Sequence, residues 1–501
     1  MKNIIEKLSP VPRPEKVLQF GEGNFLRAFV DWQIDIANEK TDFNGNVVLV
    51  QPLEQGMGDA INAQKGLYTT LLRGIRKGKT VEEFRPVTSI SRCLNPYTHY
   101  EEYLRCAENP DLRFVVSNTT EAGIAYHAED RLSDRPPRSF PGKVTAFLFR
   151  RFEHFKGDPA KALVFIPCEL IDKNGDKLKE IVETYAREWN LGGAFLAWLG
   201  SCDFCNSLVD RIVPGYPREE AGALCEKLGY EDPLLVAAEL FHLWVIEGAK
   251  DHRAELPLAE AGLNVIWTAD MSFYRTRKVR ILNGAHTSGV LAAYLYGLDT
   301  VEQCIRDPLI NKMMKKAVFE EIIPSMEGGA AEGGLAEGGP ASLTEYANDV
   351  FERFANPYIK HLLLSISLNS VSKFKTRVLP SLLDRLVKTG KPPEVLSFSL
   401  AALIAFYNGT NPAGRMLTGS RNGVPYPIQD DEGIVKRFAA LYAETAGSET
   451  EKARRITRAV LGSVDWWGED LSAYGGLEDA VGADLAAIRR SGIKSVIEGL
   501  V

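Results

Sequence analysis

The first half of the chain alternates between two hydrophobic patterns. Short apolar runs predict buried β-strands at four places: 16–20, 47–50, 114–117 and 162–166. Between the first two runs, the apolar and polar positions over 24–39 predict an amphipathic helix. Strands that alternate with helices form a mostly parallel sheet that is covered on both faces. The pattern therefore predicts an α/β domain in this part of the chain.

Beyond residue 215, strand patterns become rare and helical patterns dominate. Apolar residues recur at spacings of three and four over 233–244 and 396–407, which predicts a helix at each place. The run over 264–267 predicts a last strand. The segment over 327–340 is rich in Gly and Glu, so it cannot bury much surface, and we expect a surface loop there.

The chain has 501 residues, which exceeds the length of one ordinary domain. We place the domain boundary just before the segment that carries the candidate catalytic residues. This gives a first domain of α/β type over 1–275 and a second, mainly α-helical domain over 276–501.

Charge and composition exclude several classes of protein. The net charge of -7 argues against nonspecific binding to nucleic acid or to anionic membranes. The N-terminal segment lacks the pattern of a signal peptide, and no apolar stretch reaches the roughly 18 residues that a transmembrane helix needs. The 7 cysteines are scattered and do not suggest a disulfide framework. We expect a cytoplasmic protein without a membrane or nucleic-acid partner.

The pair Cys202 and Cys205 has the C-x-x-C spacing of some zinc and redox sites. A second cysteine pair and a nearby histidine are missing from the sequence around it, so a zinc site is not favoured. We expect both cysteines to be small buried residues, and we predict no metal site.

A glycine turn follows the first predicted strand. Gly21 and Gly23 allow a tight bend and a close backbone approach to a pyrophosphate, which would then lie at the N-terminus of the next helix. Leu26 occupies the place of the third glycine in the usual dinucleotide-binding pattern. The turn is therefore consistent with a Rossmann-type nucleotide site and also with a plain tight turn.

The end of the second predicted strand bears on the choice of cofactor. The sequence there is Val50-Gln51-Pro52, without an acid to bind a ribose 2′-hydroxyl at the tip and without an arginine for a 2′-phosphate. Glu54 lies slightly further on and could bind the ribose. The composition of this segment favours NAD over NADP.

A polar cluster with a glycine follows the strand over 114–117. Ligands bind at the carboxyl ends of parallel strands, so Asn118 and Thr120 are candidates for cofactor binding. The same residue types also cap helices, with either residue as the N-cap. The two interpretations are compatible.

The segment over 278–286 places an amine, an amide and an imidazole close together, on Lys278, Asn283 and His286. At about 100° per residue, an α-helix would hold them within an arc of roughly 140°. Such a trio can move a proton and polarise a carbonyl group without a metal. We expect Lys278 near a helix N-terminus, where the dipole would lower its pKa. The alternative is that these side chains face solvent or are structural.

Cations are dense over 356–377, around an apolar helical stretch. A solvated basic face is one explanation for this density. If the substrate is a carboxylate, His361, Lys373 and Arg377 are candidates for binding it, because charge-assisted hydrogen bonds to carboxylates are strong.

Taken together, these segments resemble the polyol-specific long-chain dehydrogenase family, the mannitol dehydrogenase group. The Lys278, Asn283 and His286 spacing, K-x4-N-x2-H, is similar to the catalytic segment of that family. The resemblance extends over nearly the whole chain, and these further stretches carry it: Gly21-Glu-Gly-Asn-Phe-Leu-Arg-Ala28, Ser117-Asn-Thr-Thr-Glu-Ala-Gly-Ile124, Ile166-Pro-Cys-Glu-Leu-Ile-Asp172, Asn206-Ser-Leu-Val-Asp-Arg-Ile212 and Asn356-Pro-Tyr-Ile-Lys-His361.

The resemblance implies a role for each candidate residue. Lys278 would be the general acid and base, Asn283 would donate a hydrogen bond to the reacting oxygen, and His286 would orient Lys278 or bind a neighbouring hydroxyl. The implied cofactor is NAD(H), with Gly21, Gly23, Asn24, Phe25, Asn118 and Thr120 as its binding residues. The implied substrate contacts are Asn206, Glu247, His361, Lys373 and Arg377.

The reaction that the resemblance implies is the reversible, metal-free reduction of D-tagaturonate to D-altronate in hexuronate catabolism. The alternatives within the family are a fructuronate reductase and a mannitol-type polyol dehydrogenase. Outside it, the alternatives are a binding protein that has lost catalysis and a zinc-dependent alcohol dehydrogenase. We expect a small sugar acid as the partner, and either a monomer or a homodimer.

Overall fold

The computed structural model divides the chain into two compact units, Met1–Met271 and Ser272–Val501. The described residues are 2–120, 122–326, 340–444 and 446–501. The Gly- and Glu-rich segment for which we predicted a surface loop lies outside the described residues, apart from Pro340, where a helix begins.

Unit 1 is built on a six-stranded parallel sheet. Its strands, with those of two smaller sheets, are in chain order β1 (Glu15–Phe20), β2 (Asn46–Val50), β3 (Tyr68–Arg76), β4 (Lys79–Val87), β5 (Ile90–Leu94), β6 (Phe114–Ser117), β7 (Val164–Pro167), β8 (Asp203–Phe204), β9 (Asn206–Asp210), β10 (Val236–Ala238), β11 (Leu243–Glu247) and β12 (Val265–Thr268). The parallel sheet has the order β5-β2-β1-β6-β7-β8. The four strands predicted from apolar runs are its centre, so the predicted parallel sheet is confirmed.

The helices of unit 1 are 24–40, Gly58–Ala63, Tyr100–Arg105, Phe140–His154, Asn174–Glu188, Gly193–Leu199 and Ala221–Leu228, with short 3-10 turns at Ile4–Glu6, Cys106–Glu108 and Pro159–Lys161. Helices pack on both faces of the parallel sheet, among them 24–40 on one face and Phe140–His154 on the other. Side chains of β1 alternate between two hydrophobic clusters: Val17 packs in one, with Phe29 of helix 24–40, and Leu18 packs in the other, with Phe147. This alternation follows from the two-residue period of a strand.

Helix 24–40 is more deeply buried than its sequence predicts. We expected an amphipathic helix, but every residue from Leu26 to Ala37 is buried. The reason is that side chains of the smaller sheets, among them Leu72 and Trp244, join the same cluster and cover the face that would otherwise meet water. Polar residues of this helix are therefore buried and must find partners inside the protein.

The two smaller sheets of unit 1 correct another expectation. β10 pairs with β3 of the β3–β4 hairpin, and β11 lies between β9 and β12. The segment 233–244, which we predicted as a helix, contains β10 and the start of β11. Most of its apolar residues are buried, and a mostly apolar run does not distinguish a covered strand from a buried helix.

Unit 2 is mainly α-helical, as predicted. Its helices are 272–296, Val301–Arg306, 308–326, Pro340–Phe354, Leu363–Ile366, Ser370–Arg377, Leu379–Thr389, Glu394–Phe406, Glu432–Ala443, Glu449–Leu461, Val464–Trp467, Leu477–Ser491 and Ile493–Leu500, with a 3-10 turn at Leu471–Ala473. The predicted helix over 396–407 is confirmed. An antiparallel sheet that we did not predict adds three strands: β13 (Gly409–Ala413), β14 (Met416–Arg421) and β15 (Val424–Gln429).

All seven cysteines are buried and form no disulfide, so the prediction that Cys202 and Cys205 are small buried residues is confirmed. Within the part of the chain that the structure describes, no helix is both long enough and apolar enough to cross a membrane.

Candidate active site

The glycine turn joins the carboxyl ends of three neighbouring strands. The N–H of Gly21 donates to the carbonyl oxygen of Val50, at the end of β2, at 3.0 Å. Gly21 has φ +117°, and a Cβ added there would lie 3.0 Å from the carbonyl oxygen of Asn118, which follows β6. Both the backbone angle and the close approach require glycine at this position.

Gly23 serves a different purpose. It is the N-cap of helix 24–40, has an extended backbone with φ -69°, and is exposed. A Cβ added at Gly23 would meet nothing within 4 Å. The protein itself therefore does not need glycine there, and the open space lies at a helix N-terminus, where backbone N–H groups attract an anion.

Arg27 braces the turn from inside the protein. Its guanidinium group donates to the carbonyl of Glu22 at 3.2 Å, to the carbonyl of Leu234 at 2.5 Å and to Oδ1 of Asn24 at 2.8 Å. Arg27 is only 1% exposed, and its guanidinium lies over the ring of Tyr68. The sequence motif contains Arg27 but predicts no role for it, because sequence does not show that an arginine at this position is buried.

Asn24 and Phe25 are the other two predicted cofactor residues in this segment. Asn24 accepts the hydrogen bond from Arg27 described above. Phe25 stacks on Phe29 with ring centroids 5.1 Å apart. Both side chains are half-buried at the start of helix 24–40. The structure therefore brings Gly21, Gly23, Asn24 and Phe25 together in one turn.

The segment after β6 is held by a buried carboxylate that we did not predict. Glu169 accepts from the Ser117 hydroxyl at 3.0 Å and from the N–H and hydroxyl of Thr119, both at 2.9 Å. Burial raises the pKa of Glu169, and these hydrogen bonds lower it. The Asn118 amide donates to the carbonyl of Cys168 at 2.8 Å, so four hydrogen bonds to the two residues that follow β7 fix this segment.

The predicted helix cap at Asn118 or Thr120 is wrong. The next helix described after β6 is Phe140–His154, and its N-cap is Ser139. Thr120 instead has φ +109°, an uncommon backbone angle for a residue other than glycine. Such strain persists only where surrounding contacts impose it and is common at ligand sites.

The loop after β2 is organised by Gln51. Its amide donates to the carbonyls of Leu53 at 2.8 Å and Glu54 at 2.9 Å, and its oxygen accepts from the N–H of Gly58 at 3.1 Å. The loop over 51–58 contains no lysine or arginine, and Glu54 is exposed on it. The loop thus offers a carboxylate but no cation to a ligand.

Asp31 is a fully buried carboxyl group beneath the glycine turn. Burial raises its pKa to about 7, whereas the hydrogen bond from Gln19 and the charge of Arg27 lower it. The folded state therefore binds a proton at Asp31 over a pH range in which the unfolded chain, with the ordinary value of 3.8, does not.

We predict a specific effect of Asp31→Asn on stability. Because the pKa of Asp31 is higher in the folded state than in the unfolded chain, its protonation contributes to the free energy of unfolding at low pH. This contribution is lost as pH rises from about 4 towards about 7. Over this window the wild type should lose about 2–4 kcal/mol of unfolding free energy relative to the variant, which has no proton to lose. Urea unfolding of both proteins at a series of pH values measures the difference, and parallel curves would contradict the prediction.

The predicted substrate contacts Asn206 and Glu247 lie side by side on β9 and β11. The Asn206 amide donates to Oε1 of Glu247 at 2.9 Å and to Oδ2 of Asp176 at 3.2 Å. Oε2 of Glu247 accepts from the N–H of Met271 at 2.8 Å. Asn206 is 5% exposed, so this pair is part of a preorganised network within unit 1.

The candidate catalytic residues lie on helix 272–296, where the structure corrects two expectations. The helix begins at Ser272, so Lys278 is not at its N-terminus. Residues Lys278–Asn283 form a π-helical segment, and Gly284–Tyr296 continues as α-helix. A π-helix turns less per residue than an α-helix, so the arc of roughly 140° does not apply. Lys278 and Asn283 are both half-buried at the two ends of this segment.

His286 lies one turn beyond, among aromatic rings. It is 8% exposed and stacks on Phe354, with ring centroids 4.1 Å apart. The ring of His361 meets it edge-on at 5.2 Å. The structure therefore places a predicted catalytic residue next to a predicted substrate residue.

The three predicted carboxylate ligands form one group of neighbours in unit 2. Burial lowers the pKa of His361, with a smaller effect from the positive charge of Lys373. Burial likewise lowers the pKa of Lys373, with a smaller effect from the positive charge of Arg377. Burial also lowers the pKa of Arg377. All three side chains are half-buried, so none of them is fully solvated.

The backbone of this group meets helix 272–296, which carries the candidate catalytic residues. A Cβ added at Gly284 would lie 3.1 Å from the carbonyl oxygen of Arg377, so the end of helix Ser370–Arg377 packs directly against Gly284, the residue after Asn283. Lys373 donates to the carbonyl of Ile366 at 2.8 Å. Unit 2 thus combines proton-transfer groups with a concentration of cations.

Metal ligands are a separate question. Among the residues that the structure describes, no group of three or more His, Cys, Asp or Glu side chains is arranged to hold a metal ion.

The fold is a Rossmann-type α/β domain followed by a mainly helical domain that carries the candidate catalytic residues. Residues 15–260 match the model of the mannitol dehydrogenase Rossmann domain, and residues 270–488 match that of the mannitol dehydrogenase C-terminal domain. The chain therefore belongs to the mannitol dehydrogenase family and is an oxidoreductase acting on CH–OH groups.

Relatives and solved structures are similar over nearly the whole chain. An altronate oxidoreductase of Enterobacter sp. (strain 638) is 46% identical, and one of Cronobacter sakazakii is 47% identical, each over 97% of both chains. A crystal structure of D-sorbitol dehydrogenase in substrate-free form has a TM-score of 0.76 and 21% identity, covering 97% of this chain and 95% of that one. The Pseudomonas fluorescens mannitol 2-dehydrogenase ternary complex with NAD and D-mannitol has a TM-score of 0.63 and 20% identity, covering 97% and 94%. These two structures share the fold.

Proposed function

We propose that this protein catalyses the NAD(H)-dependent, reversible reduction of D-tagaturonate to D-altronate. The observation that carries the proposal is the group of three cations, His361, Lys373 and Arg377, which packs against the helix that carries the candidate proton donor of unit 2. A neutral polyol would not need such a group, whereas a sugar acid would. The relatives named altronate oxidoreductase, 46–47% identical over 97% of the chain, support the same substrate class.

The glycine turn is the proposed site of the dinucleotide pyrophosphate. Gly23 leaves open space at the N-terminus of helix 24–40, and the N–H groups there suit an anion. The loop over 51–58 carries Glu54 and no cation, which suits a ribose 2′-hydroxyl and disfavours a 2′-phosphate. We therefore propose NAD rather than NADP. Asn118 and Thr120 complete the proposed cofactor residues.

The proposed chemistry needs a hydride and a proton. When bound, the nicotinamide supplies or accepts the hydride at the carbinol carbon. Lys278 gives its proton to the developing alkoxide in reduction and takes it back as a neutral amine in oxidation. Asn283 donates a hydrogen bond to the same oxygen, and His286, fixed by its stack on Phe354, orients Lys278 or binds a neighbouring hydroxyl.

In unit 1, Asn206 and Glu247 are proposed to bind substrate hydroxyls. Their mutual hydrogen bond of 2.9 Å already fixes their orientation, so little entropy is lost when a ligand arrives. In unit 2, Arg377 is the proposed principal ligand of the carboxylate, with Lys373 and His361 in support.

A matched pair of variants tests the cofactor site. Gly21→Ala should lower both stability and NADH affinity, because φ +117° and the Asn118 carbonyl strain any side chain, at a cost of about 1–3 kcal/mol. Gly23→Ala should leave stability nearly unchanged and still lower NADH affinity at least about tenfold, because its methyl group would meet only the pyrophosphate. Fluorescence titration with NADH and thermal unfolding measure both quantities. Wild-type NADH affinity in Gly23→Ala would contradict the proposed site.

The substrate assignment is tested by NADH oxidation with three ketoses. D-Tagaturonate should give the highest kcat/KM, above D-fructuronate and far above D-fructose. A preference for D-fructuronate would assign the sister reductase activity, and a preference for D-fructose would reject the sugar-acid assignment altogether. Repeating the assay with NADPH tests the cofactor choice.

A further inference from the structure

A buried chain of hydrogen bonds connects helix 24–40 to the glycine turn. The Gln19 amide donates to the carbonyl oxygen of Gly21 at 3.0 Å and to Oδ2 of Asp31 at 3.1 Å. Gln19 and Asp31 both have 0% exposure. One amide group therefore links the orientation of the Gly21 peptide to a carboxyl group in the helix that follows.

These bonds fix the direction in which the turn leaves the sheet. The N–H of Gly21 is already held by the Val50 carbonyl at 3.0 Å. Because glycine has a wide choice of backbone angles, holding the N–H alone would leave the next peptide free to rotate. The bond from Gln19 to the Gly21 carbonyl removes that freedom and so sets where the N–H of Glu22, in the same peptide plane, points.

Two polar atoms of the Gln19–Asp31 pair lack hydrogen-bond partners among the residues that the structure describes. They are Oδ1 of Asp31 and Oε1 of Gln19. A buried polar atom without a hydrogen bond costs free energy, so these groups have not been placed here for stability alone. The effect of this pair on the turn is the hydrogen bond that Gln19 donates to the Gly21 carbonyl oxygen.

We propose that Asp31 is a positioning residue for the dinucleotide: it holds Gln19, and Gln19 holds the Gly21 carbonyl in the orientation that binds the pyrophosphate. The proposal rests on the proposed function of the glycine turn. Asp31 itself is buried behind the turn and touches no ligand in this scheme. Its further support is Ser89, whose hydroxyl donates to the Asp31 carbonyl at 2.7 Å and anchors this part of the helix to the segment before β5.

A matched pair of glutamine variants tests the link. Gln19→Leu removes both donated bonds and should weaken NADH binding about tenfold, which corresponds to the loss of about one charge-assisted hydrogen bond. Gln33→Leu is the control, because Gln33 lies on helix 24–40, is as buried as Gln19 and has no hydrogen bond to the turn. It should change the NADH dissociation constant less than twofold. In both variants kcat at saturating NADH should stay within threefold of wild type, since the proton-transfer residues are untouched.

Two substitutions of Asp31 separate positioning from general stability. Asp31→Asn keeps an oxygen that accepts from Gln19 and should bind NADH within threefold of wild type. Asp31→Leu removes the acceptor and should weaken binding about as much as Gln19→Leu. Thermal unfolding of each variant identifies any that fails to fold. If Asp31→Leu fails to fold, the NADH affinity of Asp31→Asn tests the positioning role.

The outcomes distinguish this proposal from the proposed function. If wild type does not bind NADH, the proposed function of the turn fails. If wild type binds NADH and Gln19→Leu binds it equally well, or if Gln33→Leu weakens binding as much as Gln19→Leu, only the positioning role is overturned. A tenfold loss in Asp31→Asn would also overturn it, because the acceptor is retained there.

Discussion

Lys278→Ala is expected to lower kcat for D-tagaturonate reduction by about a thousandfold, within the range of roughly 10²–10⁴ typical of general acid–base catalysis. Without the amine, the developing alkoxide must take its proton from water, whereas the hydride donor and the substrate contacts are unchanged. NADH affinity should remain at the wild-type value, because the proposed cofactor residues lie in unit 1. Steady-state kinetics and NADH titration measure the two effects separately.

Three controls define the role of Lys278. Lys278→Arg retains the positive charge but cannot release a proton near neutral pH, so it should be almost as inactive as the alanine variant. Added methylamine should restore part of the activity of Lys278→Ala. Lys312→Ala removes an exposed lysine of the same unit and should behave like wild type. Activity of Lys278→Ala within threefold of wild type would refute the assigned proton donor.

Arg377→Met should raise KM for D-tagaturonate about 30-fold and leave kcat/KM for the neutral ketose D-tagatose nearly unchanged. Hydrogen bonds between charged groups are worth about 1.5–3 kcal/mol, which corresponds to roughly 10–150-fold in affinity. Arg377 should matter most of the three cations. Lys373 already gives one N–H to the Ile366 carbonyl, and the lowered pKa of His361 favours its neutral form.

The control for Arg377 is Arg306→Met, which removes an exposed arginine of unit 2 that pairs with Glu302. It should leave both substrates unaffected. If Arg377→Met lowers activity equally for D-tagaturonate and D-tagatose, Arg377 is structural and the carboxylate is bound elsewhere. If neither substrate is affected, the proposed carboxylate site is rejected.

Sequence patterns predicted the elements that depend on local signals. The central strands of the parallel sheet are short apolar runs, and their pattern is typical of strands buried on both faces. The segment 233–244 has the same apolar character, and its spacings of three and four predict a helix; a run in which nearly every residue is apolar contains such spacings whether it forms a strand or a helix. We did not predict the sheet over 409–429, although the pair Asn422-Gly423 is a hairpin signal in the sequence. In the structure both residues have the positive φ that such a turn requires.

The candidate site divides in the same way. Gly21, Gly23 and the Lys278–His286 spacing are local patterns and are visible in sequence. Arg27 and Glu169 are not, because their roles depend on contacts with residues that are distant in the chain, such as Leu234 and Thr119.

The π-helical segment Lys278–Asn283 also has no sequence signal that we could use. It changes the angular relation between Lys278 and Asn283, and π-helical turns often occur at functional sites. Spacing alone therefore predicted which residues to test but not how they are arranged.

The central claim is that this oxidoreductase recognises the carboxylate of its substrate. The most direct test is the ratio of kcat/KM for D-tagaturonate to kcat/KM for D-tagatose, measured with NADH on the wild-type protein. The two ketoses differ only in carrying a carboxylate or a hydroxymethyl group at one end. A ratio of about 100 or more is predicted from the charge-assisted bonds that the cations would make. A ratio near one, or a preference for D-tagatose, would contradict the claim.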